Sequence, residues 1–476
     1  MKILLILLIA FAYSDYISAV SFLDFMSTKM TEFASTISSS FSTLKTRVKK
    51  YFLNQIVGSD IDPGLANIYY NIGEARSKYT FSDFVEKVAA ESETDVLEYA
   101  SYKSEPTALM STPQLAILHG RRVESHVIQT EDGYLLTLHR LQPVFGTNVT
   151  SVNETVFLHH GLLGSSADWI FLGLKDSLPY ILSNMGYDVW LANARGNYYS
   201  RGHMSIRVDS LRFWKFTWHE MGQYDLLAAV DYIRQLKNMS KPINYIGHSM
   251  GATALLVLLS SKPQYNKYFR IGILLAPLAF MTNTKGPLRV LTHMSKDPPQ
   301  TLLRAIGKGE FIPSRKIPKW LVTKYCTGHM LFCSNPLFFL TGGVLEKEWN
   351  SSFIGRVLYH VPAGGSTDTI LHYAQLVKSG KFHQYNDQTS EYPLNKVTLP
   401  IVLFSSNGDQ LASVSDVLRL YFSIGNPIDH YVIQKSNFRH TDFIWGSEAT
   451  SLVFVKILDY LENGINWNLF KINEVL

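Results

Sequence analysis

Short apolar runs recur along the chain from Ser111 onward: Val156–His159, Tyr187–Ala192, Ile243–Ile246, Ile271–Ala276, Ile401–Phe404 and Tyr431–Ile433. They are continuous rather than alternating, the pattern of strands covered on both faces, as in a parallel sheet. Stretches with apolar positions at helical spacing lie between them, for example Glu220–Lys237 and Ala252–Ser261. Ahead of them, Glu124–Gln129 and Tyr134–Arg140 flank the turn Glu131-Asp132-Gly133 and predict a hairpin. Strands alternating with helices predict an α/β architecture: a mostly parallel sheet with helices on both faces. Residues 285–395 interrupt the alternation with Pro-, aromatic- and Lys-rich sequence, which reads as a cap inserted over the C-terminal edge of the sheet. The predicted core is thus split into 111–284 and 396–476.

The chain ahead of Ser111 has a different pattern. Met1-Lys2, the apolar run Ile3–Ala12 and the small or polar residues around Ser14 and Ala19 make residues 1–19 a predicted secretory signal peptide, cut near Ser14 or near Ala19. The run is shorter than the ~20 apolar residues of a membrane-spanning helix. No later run predicts a span, so the expected location is extracellular or the lysosomal lumen. In residues 20–110, apolar side chains recur at helical steps at Met26, Met30, Phe33, Ile37, Phe41, Leu44, Val48 and Phe52. The opposite face is rich in Ser and Thr and turns basic at Lys45, Arg47, Lys49 and Lys50. Such a stripe fits a lipid surface, a partner groove, packing on its own domain, or a removable pro-segment; the role of this extension stays open.

Composition narrows the function classes. Apolar residues make up 46% of the 476 and charged residues 17%, below the ~25% typical of soluble domains, so the chain can bury a large core. The net charge is only +5, without an Arg/Lys stripe interleaved with aromatics, which argues against a nucleic-acid partner. Cys326 and Cys333 are the two cysteines, spaced to close a short loop in an oxidising lumen or to stay as buried thiols. Asn148, Asn153, Asn238 and Asn350 begin Asn-x-Ser/Thr sequons, candidate glycosylation sites in a secreted chain. Neither Cys-x-x-Cys nor His-Glu-x-x-His occurs, so no catalytic metal or cofactor is expected.

The chemistry gathers around Gly247-His248-Ser249-Met250-Gly251, which follows one predicted strand and precedes a predicted helix. That placement makes a nucleophile elbow: a tight turn with small residues two positions either side lifts the serine hydroxyl clear of the sheet. Serine needs a base to take its proton. In this architecture acid and base come later, in the order Ser, Asp, His, past later strands. Asp409 follows Ile401–Phe404, and His440 follows Tyr431–Ile433. Asp416, placed in the next helix, and Asp442, two residues past His440 and too close in sequence to orient its ring easily, are the rival acids. His159-His160-Gly161-Leu162 follows the strand Val156–His159, so the backbone N–H groups of Leu162 and Met250 are the candidate oxyanion donors. The paired histidines invite a metal reading, which strand alternation weakens by sending neighbours to opposite sides.

Ordered motifs extend far beyond the elbow: Thr130-Glu131-Asp132-Gly133-Tyr134, His160-Gly161-Leu162-Leu163, Gly186-Tyr187-Asp188-Val189-Trp190-Leu191, Asn193-Ala194-Arg195-Gly196-Asn197, Val377-Lys378-Ser379-Gly380-Lys381-Phe382 and His440-Thr441-Asp442-Phe443-Ile444-Trp445-Gly446. Together they resemble the acid lipase family, the group of lysosomal acid lipase and gastric lipase, over about Ser111 to Asn463. The resemblance implies an α/β-hydrolase fold with an inserted cap, Ser249 as nucleophile, Asp409 as acid, His440 as base, and Leu162 and Met250 as oxyanion donors. It also implies a cap disulfide between Cys326 and Cys333. Met250 stands where mammalian members have Gln, and a backbone N–H serves equally from either. The extension at 20–110 and the spacing within the cap depart from the family pattern, which leaves substrate choice least determined. The expected function is cleavage of neutral lipid esters, triacylglycerols or sterol esters, at a lipid–water interface. A carboxylesterase for small esters and a non-catalytic lipid-binding or transport protein on the same fold are the alternatives.

Overall fold

The computed structural model describes residues 110–144, 154–237, 241–285, 287–290, 292, 309–311 and 351–463. The predicted signal peptide, the extension up to Leu109, residues 312–350 of the predicted cap with Cys326 and Cys333, and the sequon residues Asn148, Asn153, Asn238 and Asn350 lie outside the described residues.

The sheet is built from β1 (Val123–Gln129), β2 (Tyr134–Leu141), β3 (Thr155–His159), β4 (Asp188–Leu191), β5 (Gly202–His203), β6 (Ile243–His248), β7 (Phe269–Leu275), β10 (Ile401–Ser406) and β11 (Pro427–Ile433). A separate two-stranded ribbon pairs β8 (His383–Gln384) with β9 (Asp387–Glu391). The order is β1-β2-β4-β3-β6-β7-β10-β11, with β5 beside β2. The pairs from β4 to β11 are parallel, and the β1–β2 hairpin adds antiparallel strands at one edge. Every residue of β3, β4, β6 and β10 is buried, as their unbroken apolar runs predict. The other edge differs from expectation: β11 begins at Pro427, four residues ahead of the apolar run. Its first half is half-buried and carries Asp429 and His430, with His430 bonded to Ser405 and Asp429 to the Tyr460 hydroxyl. An edge strand has one exposed side and needs no continuous apolar sequence.

The helices include α1 (Thr112–Leu118), α2 (Leu178–Asn184), α3 (Leu227–Leu236), α4 (Met250–Ser261), α5 (Ser351–His360), α6 (Thr367–Ser379), α7 (Val414–Tyr421), α8 (Asp442–Trp445) and α9 (Val455–Asn463). Eleven of the twelve residues of α4 are buried, which explains why its sequence is apolar all round. The predicted helix Glu220–Lys237 is interrupted by a π-helical turn at Met221–Leu226. That turn carries Asp225, whose carboxylate meets the guanidinium of Arg195 at 2.6 Å. Arg195 is buried and also takes both oxygens of Asp132, at 2.6 and 2.9 Å, in the hairpin turn. One cation thus ties the Asn193–Asn197 loop to β1–β2 and to α3. Residues 351–395 contribute to the common core through Val357, Ile370, Tyr373, Phe382 and Leu394.

Candidate active site

The elbow forms as the motif predicts. β6 ends at His248, α4 begins at Met250, and Ser249 between them has φ 54° and ψ −111°. A non-glycine residue with positive φ is strained, and such strain is held where surrounding structure fixes it. Its N–H is bonded to the Leu275 carbonyl at 2.9 Å, and its carbonyl accepts the Thr253 N–H. Gly251 is required by close approach: a Cβ there would come within 2.4 Å of the His159 carbonyl oxygen.

Two loops bring the remaining groups. The loop after β10 presents Asp409, and the loop after β11 presents His440. Ser406 Oγ donates to the Phe438 carbonyl at 2.7 Å, and Gly408 permits contact that a Cβ would block, at 2.4 Å from the same oxygen. His440 Nδ1 lies 2.8 Å from Asp409 Oδ2, and His440 Nε2 lies 2.8 Å from Ser249 Oγ. Asp409 Oδ1 accepts the N–H groups of Leu411 and Ala412 at 2.8 and 3.0 Å, which leaves Oδ2 for the imidazole. With the proton on Nδ1, Nε2 is free to accept the serine hydroxyl. The rival acids are engaged elsewhere: Asp416 accepts from Asn283 and Ser413, and Asp442 caps the Arg439 N–H.

Sequence reasoning gave no role to His248 or His160. The His248 ring donates from Nε2 to the His440 carbonyl at 2.8 Å. Burial, with His440 beside it, holds His248 down at about 3, so it is neutral. His160 donates from Nδ1 to the Gly161 carbonyl at 2.7 Å and accepts the Ala194 N–H on Nε2 at 3.0 Å. The Gly164 N–H reaches the same Gly161 oxygen at 3.2 Å. In a trans peptide the C=O and the following N–H point opposite ways, so fixing that oxygen aims the Leu162 N–H away from His160. Among the described residues the Leu162 N–H has no acceptor, and Met250, at the first helical position, has no intrahelical one. The rings of His159 and His160 do not diverge as strand alternation implies; they stack at 5.3 Å, because His160 already lies past β3. Each turns Nδ1 to the next backbone carbonyl. Among the described residues no group of three or more His, Cys, Asp or Glu could hold a metal ion.

Ser249 and His440 open onto a small cavity. Its walls include Leu162, Leu278, Leu288, Val361, Tyr373 and Trp445, an apolar lining suited to an acyl chain. No helix among the described residues is long and apolar enough to cross a membrane.

Comparison with known proteins agrees with this architecture. A family model for the alpha/beta hydrolase fold matches residues 154–447, and one for a partial alpha/beta-hydrolase lipase region matches 112–173. Over 374 residues the chain is 34% identical to gastric triacylglycerol lipase of Rattus norvegicus, covering 75% of this chain and 92% of the relative. Lysosomal acid lipase/cholesteryl ester hydrolase of Homo sapiens is 32% identical over 378 residues, with 75% and 92% covered. Lipase 3 of Drosophila melanogaster is 34% identical over 360 residues, with 72% and 91% covered. The chain belongs to this family, the α/β-hydrolase lipases, and is a carboxylic ester hydrolase.

Proposed function

We propose that the protein is a secreted or lysosomal serine lipase that hydrolyses neutral lipid esters, triacylglycerols or sterol esters, through an acyl-enzyme on Ser249. The observation that carries this reading is the Asp409–His440–Ser249 chain, two contacts of 2.8 Å opening into an apolar cavity. Ser249 Oγ attacks the ester carbonyl while His440 Nε2 takes its proton, and Asp409 fixes the ring and balances the imidazolium charge. The N–H groups of Leu162 and Met250 receive the oxyanion. The tetrahedral intermediate then expels the alcohol, protonated by His440, and water activated by the same imidazole releases the fatty acid.

The substrate class is supported by the cavity lining and by relatives named for triacylglycerol and cholesteryl ester. The luminal location is supported by the predicted signal peptide and by gastric and lysosomal relatives. Within this reading residues 285–395 form the cap, and Cys326 and Cys333 close a loop inside it. The deciding experiment is fatty-acid release from emulsified triacylglycerol and cholesteryl ester by wild type and by Ser249→Ala. Release that vanishes in the variant is expected, and the ratio of the two substrates identifies the preferred class. Equal release by a folded Ser249→Ala would reject the mechanism. Lipid binding with no turnover and no covalent labelling of Ser249 would favour a transport protein.

A further inference from the structure

Asp168 takes no part in the steps above, yet it lines the same cavity as Ser249 and His440. It is 3% exposed and stands in the short 3-10 turn Ser166–Ile170. There Oδ1 accepts the Ser165 N–H at 3.3 Å while the Ser165 hydroxyl accepts the Ala167 N–H. Oδ2 faces the loop of the candidate oxyanion donor: a Cβ placed on Gly164 would sit 2.0 Å from Oδ2 and 3.2 Å from the Gly161 carbonyl oxygen. Backbone N–H contacts, the one from Ser165 long at 3.3 Å, are little compensation for a buried carboxylate, which ordinarily gathers a cation or several strong donors.

Among the described residues no cation comes to it from the elements packed around this turn. From α5, Arg356 donates to the Phe171 carbonyl at 2.7 Å, and the His360 ring lies against Phe171. From α8, Asp442 caps its own loop; from α2, the Tyr180 hydroxyl meets His119. His139 of β2 bonds Ser166 at 2.8 Å. On the cavity side stand His248 and His440, with His160 behind the loop. Burial holds His139, His160 and His248 at about 3, so these imidazoles bring no positive charge near neutral pH. Among the described residues, the opposing influences on the Asp168 carboxyl are backbone hydrogen bonds, and burial pushes it up to about 8.

We propose that Asp168 serves the reaction as an uncharged carboxylic acid in the cavity wall, and that release of its proton to water shuts the enzyme down from the alkaline side. The attack of Ser249 turns a neutral ester oxygen into an anion. A carboxylate set against the Gly161–Gly164 loop, which carries an oxyanion donor, opposes that anion more than it favours the imidazolium forming on His440, and at an effective dielectric of about 20 a like charge about 10 Å away slows the step by up to about tenfold. The uncharged acid imposes no such barrier.

The inference rests on the serine-ester reading. Ser249→Ala tests that reading at every pH, whereas Asp168 is tested by the position of one limb of the profile. The experiment is kcat/KM against pH for a soluble short-chain ester, wild type beside Asp168→Asn, which keeps the capping oxygen and cannot ionise. Wild type should lose about tenfold on passing through the alkaline limb. Asp168→Asn should keep its own plateau beyond that limb, with the acid limb where wild type has it. An alkaline limb unmoved in a folded Asp168→Asn overturns the proposal, and so does a folded variant inactive at all pH. If Asp168→Asn does not fold, Asp168→Ser and the infrared spectrum of wild type decide. Retained activity in the serine variant beyond the limb, or loss of a protonated-carboxyl band across it in wild type, supports the proposal. A limb unmoved in Asp168→Ser, or no such band, overturns it.

Discussion

The ring of His248 donates to the backbone carbonyl of His440 across 2.8 Å, so the residue before the elbow serine holds the loop that carries the imidazole. The Phe438 carbonyl contact and the Asp442 cap on the Arg439 N–H also hold that loop. Replacing His248 by Phe keeps a buried ring but leaves the His440 carbonyl without its donor. An unsatisfied buried acceptor costs about 1–3 kcal/mol. Falling on the placement of the base, that cost predicts a loss of about 10- to 100-fold in kcat with KM nearly unchanged. A folded His248→Phe with the wild-type kcat would show that the loop needs no such tie.

The two oxygens of Asp409 are already assigned, which fixes what Asp409→Asn must do. Oδ1 accepts two backbone N–H groups, from Leu411 and Ala412. The amide oxygen of asparagine can replace it there, and its NH2 then faces His440 Nδ1. Nδ1 becomes an acceptor, the ring proton moves to Nε2, and Ser249 faces a donor where it needs an acceptor. In a Ser-His-Asp arrangement the wrong tautomer costs about 10⁴ in kcat. We expect a loss of that size with the melting temperature close to wild type. Activity within about tenfold of wild type would instead make another carboxylate the acid, with Asp416 or Asp442 next to be replaced.

His160 separates oxyanion stabilisation from proton transfer. It supplies one of the two donors on the Gly161 carbonyl, the other being the Gly164 N–H at 3.2 Å. His160→Ala loosens the peptide that aims the Leu162 N–H without touching Ser249, His440 or Asp409. Complete loss of an oxyanion donor costs about 10²–10³ in kcat, which bounds the effect from above. The expected loss is therefore about 10- to 100-fold, with transition-state analogues weakened more than substrate. Equal weakening of both would assign His160 to substrate binding alone.

Much of this site was legible before the fold was known, for a physical reason. Ser249 and Asp409 each follow a strand buried along its whole length, and His440 follows the short apolar run that ends the edge strand β11; the end of an apolar run is visible in a sequence. The parallel centre of the sheet was legible for the same reason, because β3, β4, β6 and β10 are buried along their whole length. The start of β11 was not, since an edge strand tolerates Asp429 and His430. The π-helical turn at Met221–Leu226 was hidden because its residues keep helical spacing; only the pairing of Asp225 with Arg195 gives the extra residue a purpose. His248, His160 and Asp168 were hidden differently. His248 and His160 act on backbone carbonyls, which have no letter in the sequence, and Asp168 stands out only through its burial in the cavity wall.

Asp168 also makes a prediction about stability, independent of turnover. Its carboxyl titrates at about 8 in the folded protein, pushed up by burial, and near the ordinary ~3.9 once unfolded. Between those values the folded state holds a proton that the unfolded state has released. The unfolded state binds fewer protons, so stability falls as pH rises from ~4 and levels off above the folded value, with a slope of up to about 1.4 kcal/mol per pH unit from this one group. Asp168→Asn removes the titration and retains the cap acceptor. The variant should therefore be more stable than wild type at neutral pH, and the gap should close as pH falls toward ~4. Denaturant unfolding of both proteins over a series of pH values measures this directly. Parallel curves would mean that Asp168 is already ionised in the fold, with compensation from groups beyond the described residues.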